Sequence, residues 1–440
     1  MKRRSTNRST KETANSGLTR RELMTAVTSS LLLSQPARAA AAVSAEPAPQ
    51  EPSKTSYDLL IKGGKVIDPA QDIEAPMDIA IQGGKIARLA QEIPATQARQ
   101  VLDAVGKVVT PGLIDVHFHA FPYINTGIDA DPSCVTRGVT TAVDAGTSGA
   151  LSFPAFKHLV IDKAKTRVRS LLHIVAIGMV GSQPSTPELG DLRFCDPKLA
   201  AKVASENRDT VLGFKIRIER TFTVPGSNDI EAMKRVRAAA DETHLPLMIH
   251  IGGSYTPLKE FLALMKEGDV VTHVYNPREN SVLDKNGKLL PEVLDARGRG
   301  VKFDIGHGRT NLSYRIAEQC MRQQFLPDTI SSDLGLRSKQ FPVFDLVTTM
   351  SKFLLLGLSM RDVVACTTLN AARTFNFGSE IGSLKPGAEA DVAVFELRDG
   401  KFELTDADND TRVGKQRIIP VATVRGGQIF YPVGMPGVTG

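Results

Sequence analysis

The stretch PGLIDVHFHAF, residues 111–121, runs apolar through Leu113 and Ile114 and then delivers Asp115, His117 and His119, each two residues apart. In an extended strand, residues at i and i+2 share a face, so this spacing points three polar side chains the same way. Four more polar groups close later apolar runs: Lys215 in GFKIRIE, His250 in LMIH, His273 in VVTH and Asp333 in TISSD. Neutral imidazoles and a carboxylate suit zinc or a similar divalent ion. The strand would end on two histidines because one metal needs both from one backbone. Lys215 is the odd member. A buried ammonium is costly and readily loses its proton, and another cation beside metal ligands makes little electrostatic sense unless the amine becomes an anion. The alternative is a lysine paired with a carboxylate such as Glu219 or Asp144.

These groups need strands to hold them. Eight apolar runs occur, at 112–117, 139–145, 171–177, 211–218, 246–251, 270–274, 301–305 and 328–333. Helical patterns separate most of them. Asp196-Pro197 forms an N-cap and first-turn pair, Leu258, Phe261, Leu262 and Met265 recur at helix spacing, and Ser359 with Asp362 reads as another helix start. Eight βα units predict an α/β fold, a (β/α)8 TIM barrel over 109–375, with its functional groups at the C-terminal ends of the strands. A doubly wound open sheet is the alternative, but no G-x-G-x-x-G follows the first strand. Short apolar strands with Gly-Gly and Gly-Lys turns fill 56–108, and the same pattern resumes over 376–440. A small β-sandwich domain assembled from both ends of the chain is therefore expected.

Charge narrows the partners. The 440-residue chain has a formal net charge of +6, and eight Lys/Arg against two acids before Ala40 account for all of it. The remainder is neutral, which argues against a polyanion-binding surface and against a nucleic-acid partner. Residues 1–39 combine Arg20-Arg21, a short apolar run to Leu33 and Ala37-Arg38-Ala39, the pattern of a twin-arginine-type export signal, too short and polar for a membrane anchor. The Pro- and Glu-rich segment 40–55 reads as a linker. A periplasmic or secreted location follows. Cys134, Cys195, Cys320 and Cys366 are too widely spaced for a disulfide framework and are expected as buried thiols.

The motif Gly112-Leu-Ile-Asp-x-His-x-His119, the lysine on the fourth strand, His250, His273, Asp333 and GSLKPGAEADVAVF at 382–395 together resemble the amidohydrolase superfamily, from Tyr57 onward. The resemblance implies two divalent metal ions, expected to be zinc; two such ions would lower the pKa of a shared water and polarise a carbonyl, so the expected reaction is hydrolysis of an amide or ester. His117, His119 and Asp333 would bind the more buried ion, and His250 and His273 the second. Lys215 would be an N6-carboxylysine bridging both, with Asp333 as proton shuttle from a bridging hydroxide. Dihydroorotases carry an arginine shortly after the paired histidines, whereas Ala120-Phe121-Pro122 stands here. GFKIRIE, MIHIGG, VTHVYNP and FDIGHG are instead similar to a deacetylase branch, formerly labelled dihydroorotase-like, whose substrates are small acetylated carboxylates. A cyclic amidohydrolase of dihydroorotase or hydantoinase type and a non-catalytic ligand-binding barrel are the competing readings. Arg217, two residues beyond Lys215, and Tyr275, two beyond His273, are candidate substrate contacts, as is His307 between two glycines. Asn276 and Arg278 are expected on the same rim, and Gly252-Gly253 would let the backbone approach the site. A homo-oligomer is a further expectation for a barrel of this kind.

Overall fold

The computed structural model describes residues 56–181, 186–223 and 228–433. The export signal and linker expected over 1–55 lie outside these residues. Among them, no helix is long and apolar enough to cross a membrane.

The first half of one sheet comes from β1 (Tyr57–Asp68), β2 (Ile73–Gln82), β3 (Lys85–Ala90), β4 (Ala98–Asp103) and β5 (Val108–Pro111). Seven parallel strands follow: β6 (Leu113–Phe118), β7 (Val139–Gly149), β8 (Arg167–His173), β9 (Val211–Arg217), β10 (Leu247–His250), β11 (Val270–Thr272) and β12 (Lys302–Asp304). They hydrogen-bond in sequence order, as successive βα units require. Every residue of β6, β7, β10 and β11 is buried. That explains why these strands read as near-continuous apolar runs rather than as alternating ones.

The eighth expected strand, 328–333, is not a regular strand. Its backbone is nevertheless bonded on both sides. Asp304 bridges to Thr329 and Phe118 to Leu334, both in parallel. The Asp333 NH donates to the His117 carbonyl at 2.7 Å, and the His307 NH to the Ser331 carbonyl at 3.1 Å. The sheet therefore curls into a distorted barrel closed by an irregular segment. Ile114, Val116, Val143, Ala145, Leu171, Met248 and Val270 form one apolar cluster with Ala371, Ala372 and Phe375, from the helix Leu369–Thr374 and the residue after it, which caps this cluster.

The returning chain adds β13 (Val392–Thr405), β14 (Thr411–Arg425) and β15 (Gln428–Phe430) to the first sheet, giving the order β15-β14-β13-β5-β1-β2-β3 with β4 beside β1. Strand β5 is parallel to β1 and antiparallel to β13. Its own core (Leu59, Ile61, Val66, Ile79, Ile81, Val392, Val394 and neighbours) is separate from that of the barrel. This mixed sheet agrees with a small β-sandwich built from both ends of the chain. The four cysteines are buried free thiols.

Candidate metal centre

Strand ends bring the expected residues together. His117 lies in β6 and His119 one residue past it, Lys215 in β9, His250 at the end of β10, His273 just past β11, and Asp333 in the closing segment. All of these except Asp333 are less than 9% exposed. Asp333 Oδ1 is 3.1 Å from His119 Nε2 and 3.4 Å from His117 Nε2. Lys215 Nζ is 3.4 Å from the same His117 Nε2. The ring centroids of His117 and His273 are 4.9 Å apart, and those of His250 and His273 are 4.2 Å apart. Ligand atoms of His117, His273 and Asp333 all lie within 4.8 Å of one another, so these three could hold a metal ion.

Asp115 does not join them. Its carboxylate accepts from the Ser332 hydroxyl at 2.5 Å and the Ser332 NH at 3.0 Å, tying β6 to the closing segment. The β6–β7 register is irregular between Asp115 and Phe118, so a strict two-residue alternation does not hold there.

The His117 and His273 rings are set up as neutral donors. Thr272 gives its one hydroxyl proton to Asp304 Oδ2 at 2.7 Å, so at 2.9 Å from His117 Nδ1 it can only accept. The proton therefore sits on His117 Nδ1, and the Nε2 lone pair faces Asp333 and Lys215. His273 Nδ1 donates to the Gly306 carbonyl at 2.7 Å, leaving its Nε2 free in the same way. His119 Nδ1 lies 2.9 Å from the Thr147 hydroxyl. Such partners fix tautomer and ring direction in metal sites. Backbone strain accompanies the arrangement: His273 has φ +72° and Asp333 φ +48°. Non-glycine residues held in this region cluster at functional sites.

Burial sets the protonation states. Desolvation drives His117 and His273 well below the ordinary histidine value, and His250 to about 4. Desolvation likewise brings Lys215 down to about 7. Lys215 has no carboxylate within salt-bridge distance among the described residues. Asp144 instead accepts from the backbone of Ala120 and Thr147. Glu219 faces His250 Nε2 at 3.2 Å and is paired with Arg278, partners that hold it at about 2 against its own desolvation. Gly146, at φ +89°, leaves room for the lysine stem, since a Cβ there would come within 2.7 Å of Lys215 Cβ and Cγ. The neutral, directed imidazoles of His117 and His273 beside a carboxylate fit a divalent cation.

These groups line a cavity of ≈ 270 Å³ with Arg217, Phe222, Arg278, Arg309, Asn311 and Arg337. Arg217 therefore reaches the cavity. Its guanidinium packs over the Phe222 ring at 3.8 Å and is paired with the buried Glu188 at 3.0 Å. Two expected substrate contacts are corrected. Tyr275 is fully buried and its hydroxyl donates to the Phe325 carbonyl at 2.7 Å. Strand β11 has already ended at Thr272 and His273 turns the chain, so the two-residue rule cannot carry Tyr275 to the cavity. His307 is also fully buried, with Nε2 2.7 Å from Lys352 Nζ. Arg278 stands on the rim as expected, while Asn276 is buried, its amide donating to the His273 carbonyl at 2.5 Å. Gly252, at φ +105°, is needed because a Cβ there would meet the Asn276 side chain. Thr272, Asp304, Thr147 and Glu188 are supporting residues that the sequence reading missed, and Glu219, considered there as a partner of Lys215, faces His250 and Arg278 instead.

Comparison with known proteins agrees with this geometry. A model of the amidohydrolase family matches residues 108–430. The chain is 36% identical to a deacetylase of Enterococcus faecalis over 85% of this chain and 99% of the relative. It is 34% identical to a deacetylase of Agrobacterium fabrum over 86% and 87% of the two chains. The crystal structure of an adenine deaminase superposes with a TM-score of 0.79 at 36% identity, covering 85% of this chain and all of that one. Each match extends across both the strands that supply the imidazoles and the segment that supplies Asp333, and on that footing the chain is a metal-dependent hydrolase belonging to the amidohydrolase family.

Proposed function

We propose that the chain removes an acetyl group, bound as an amide or ester, from a small carboxylate, at a binuclear metal centre. His117, His119, His250, His273 and Asp333 would be ligands, with Lys215 as an N6-carboxylysine between the two ions. The observation that carries this reading is Lys215 itself: a fully buried amine, 3.4 Å from His117 Nε2, with no carboxylate to neutralise it among the described residues. A neutral amine there is a nucleophile toward CO₂, and the resulting carbamate turns an unfavourable cation into an anion suited to cations. The bound ions, with zinc as the expected metal, would lower the pKa of a water and polarise the scissile carbonyl.

The chain's own residues do the rest. Asp333 lines the cavity, one oxygen near His117 and His119 and the other 3.5 Å from Asn311 Nδ2. In this reading it takes the proton that water loses on attacking the carbonyl carbon. The same proton then goes to the leaving nitrogen or oxygen as that bond to carbon breaks, giving the free amine or alcohol and acetic acid, which ionises to acetate by releasing the second proton of the water. Arg217 already neutralises Glu188. Arg309 and Arg337 have no ion-pair partner within 4 Å among the described residues, and we assign the substrate carboxylate to them. The relatives from Enterococcus faecalis and Agrobacterium fabrum are both deacetylases, which supports an acetyl substrate. Export through the segment 1–39 to the periplasm belongs to the same reading.

The test is a substrate screen of the Zn²⁺-loaded chain, with N-acetyl amino acids of both hands, acetyl esters and cyclic ureides, alongside metal analysis. Acyclic acetyl compounds turned over faster than rings, with two metals per chain, support the proposal. Faster ring opening supports a cyclic amidohydrolase instead. Lys215→Ala is expected to lower metal content and activity together; full metal occupancy in that variant overturns the bridging role.

A further inference from the structure

Behind the metal centre lies a polar pair that the hydrolytic chemistry does not use. Lys352, on the helix Leu346–Leu355, and His307 are both fully buried. Lys352 Nζ is 2.7 Å from His307 Nε2 and donates to the Pro342 carbonyl at 2.8 Å. His307 Nδ1 donates to the Gly308 carbonyl at 2.8 Å, which leaves Nε2 as the acceptor for Lys352. No carboxylate lies within salt-bridge distance of Lys352 among the described residues. Burying an amine in this way is unfavourable unless it is bonded to something that needs it.

What it is bonded to is the turn Gly306-His307-Gly308. The Gly306 carbonyl accepts from His273 Nδ1 at 2.7 Å and so sets that ring's tautomer. The NH groups of His307 and Gly308 donate to the carbonyls of Ser331 and Ser332 at 3.1 and 2.9 Å, the two residues before Asp333. Both glycines have φ +48°, and a Cβ on Gly306 would come within 2.7 Å of His273 Nδ1 and 2.9 Å of His117 Nδ1. The turn thus bears on the cluster from two sides. The side chain at its centre is held from the outer helix by Lys352.

We propose that Lys352 is a positioning residue for the metal centre, acting through His307 to fix the turn that orients His273 and the backbone before Asp333. The inference rests on the metal-dependent reading above. Supporting residues of this kind commonly change metal affinity by roughly 10–100-fold when removed.

The experiment uses the full chain, stripped of metal and titrated with Co²⁺ against a chelator, while the visible absorption of bound Co²⁺ is recorded. Lys352→Met and His307→Phe are each expected to weaken Co²⁺ binding by roughly 10–100-fold and to change its absorption bands. The double variant is expected to be little worse than either single one, because both remove the same link. The thermal midpoint of the metal-free variants reports folding separately. Wild-type Co²⁺ affinity and absorption in folded Lys352→Met overturn the proposal. If Lys352→Met does not fold, the same result in His307→Phe overturns it. A wild-type chain that binds no Co²⁺ overturns the metal-dependent reading, and this inference with it; wild-type binding matched by the variants overturns the inference alone.

Discussion

His117 and Asp304 are joined through a single hydroxyl. His117 Nδ1 and Asp304 Oδ2 are 3.8 Å apart, and Thr272 spans the gap, accepting from His117 Nδ1 and donating to Asp304. Asp304 also accepts from the hydroxyls of Thr329 at 2.6 Å and Ser331 at 2.7 Å. One buried carboxylate thereby organises hydroxyls from two neighbouring segments of the barrel around the ring of one candidate ligand. Thr272→Val keeps the shape and removes the link. Its expected effect is a loss of roughly 10–100-fold in metal affinity, read as the chelator concentration that strips half the metal. An unchanged midpoint of stripping contradicts the relay.

Lys352 predicts a pH-dependent stability. Burial pushes it from 10.5 down to about 7. Between those values the unfolded chain carries a proton that the folded chain lacks, so the folded state gains as pH rises, by at most about 1.4 kcal/mol per pH unit. Below about 7 both states are protonated and the penalty is constant. Urea unfolding of the metal-free wild type and of Lys352→Met is therefore expected to diverge, in favour of the wild type, as pH rises from 7 toward 10. A difference that does not vary with pH contradicts this.

Arg217 and Arg309 line one cavity but are expected to fail differently. Glu188 is fully buried, 3.0 Å from Arg217 Nη1 and 3.1 Å from His173 Nε2. Arg217→Met removes the guanidinium that neutralises this buried carboxylate and is expected to cost about 3–5 kcal/mol of stability, visible in chemical denaturation. Arg309→Met leaves the thermal midpoint in place and raises KM for carboxylate substrates roughly tenfold. Equal KM for charged and uncharged acetyl substrates in both proteins contradicts the assignment.

Gly308→Ala tests the packing against Asp333. Gly308 has φ +48°, and an added Cβ would collide with Asp333 Oδ2 and lie 2.9 Å from Asn311 Nδ2. The expected outcome is a fall in kcat of about 100-fold or more, because the carboxylate proposed as proton carrier is displaced. Circular dichroism checks that the fold persists. Retained kcat contradicts the placement of Asp333 as the proton carrier.

How legible this site was depends on where regular strand geometry stops. Lys215 and Arg217 both lie within β9, and both line the cavity as the two-residue period requires. Tyr275 was placed by the same period from His273, but that residue's positive φ ends the strand, and the side chain goes into the core. Asp115 fails for a related reason, the register irregularity within β6. The seven ladder strands were readable because buried parallel strands are continuous apolar runs. The eighth segment carries Ser331, Ser332 and Asp333, whose side chains serve Asp304, Asp115 and the cluster, and it forms isolated bridges instead of a ladder. Thr272 and Thr147 had no signal of their own, because a threonine in a buried strand reads as ordinary β composition. Only the fold shows which hydroxyl faces a histidine.

The placement of β5 between β1 and β13 has a consequence for biosynthesis. Val109 pairs with Val394, so the N-terminal strands cannot be covered on that side until β13, about 280 residues after β5, has left the ribosome. A chain cut short before β13 would present a valine-rich open edge, the kind of surface on which other strands add. Premature termination should thus yield insoluble product rather than an isolated barrel.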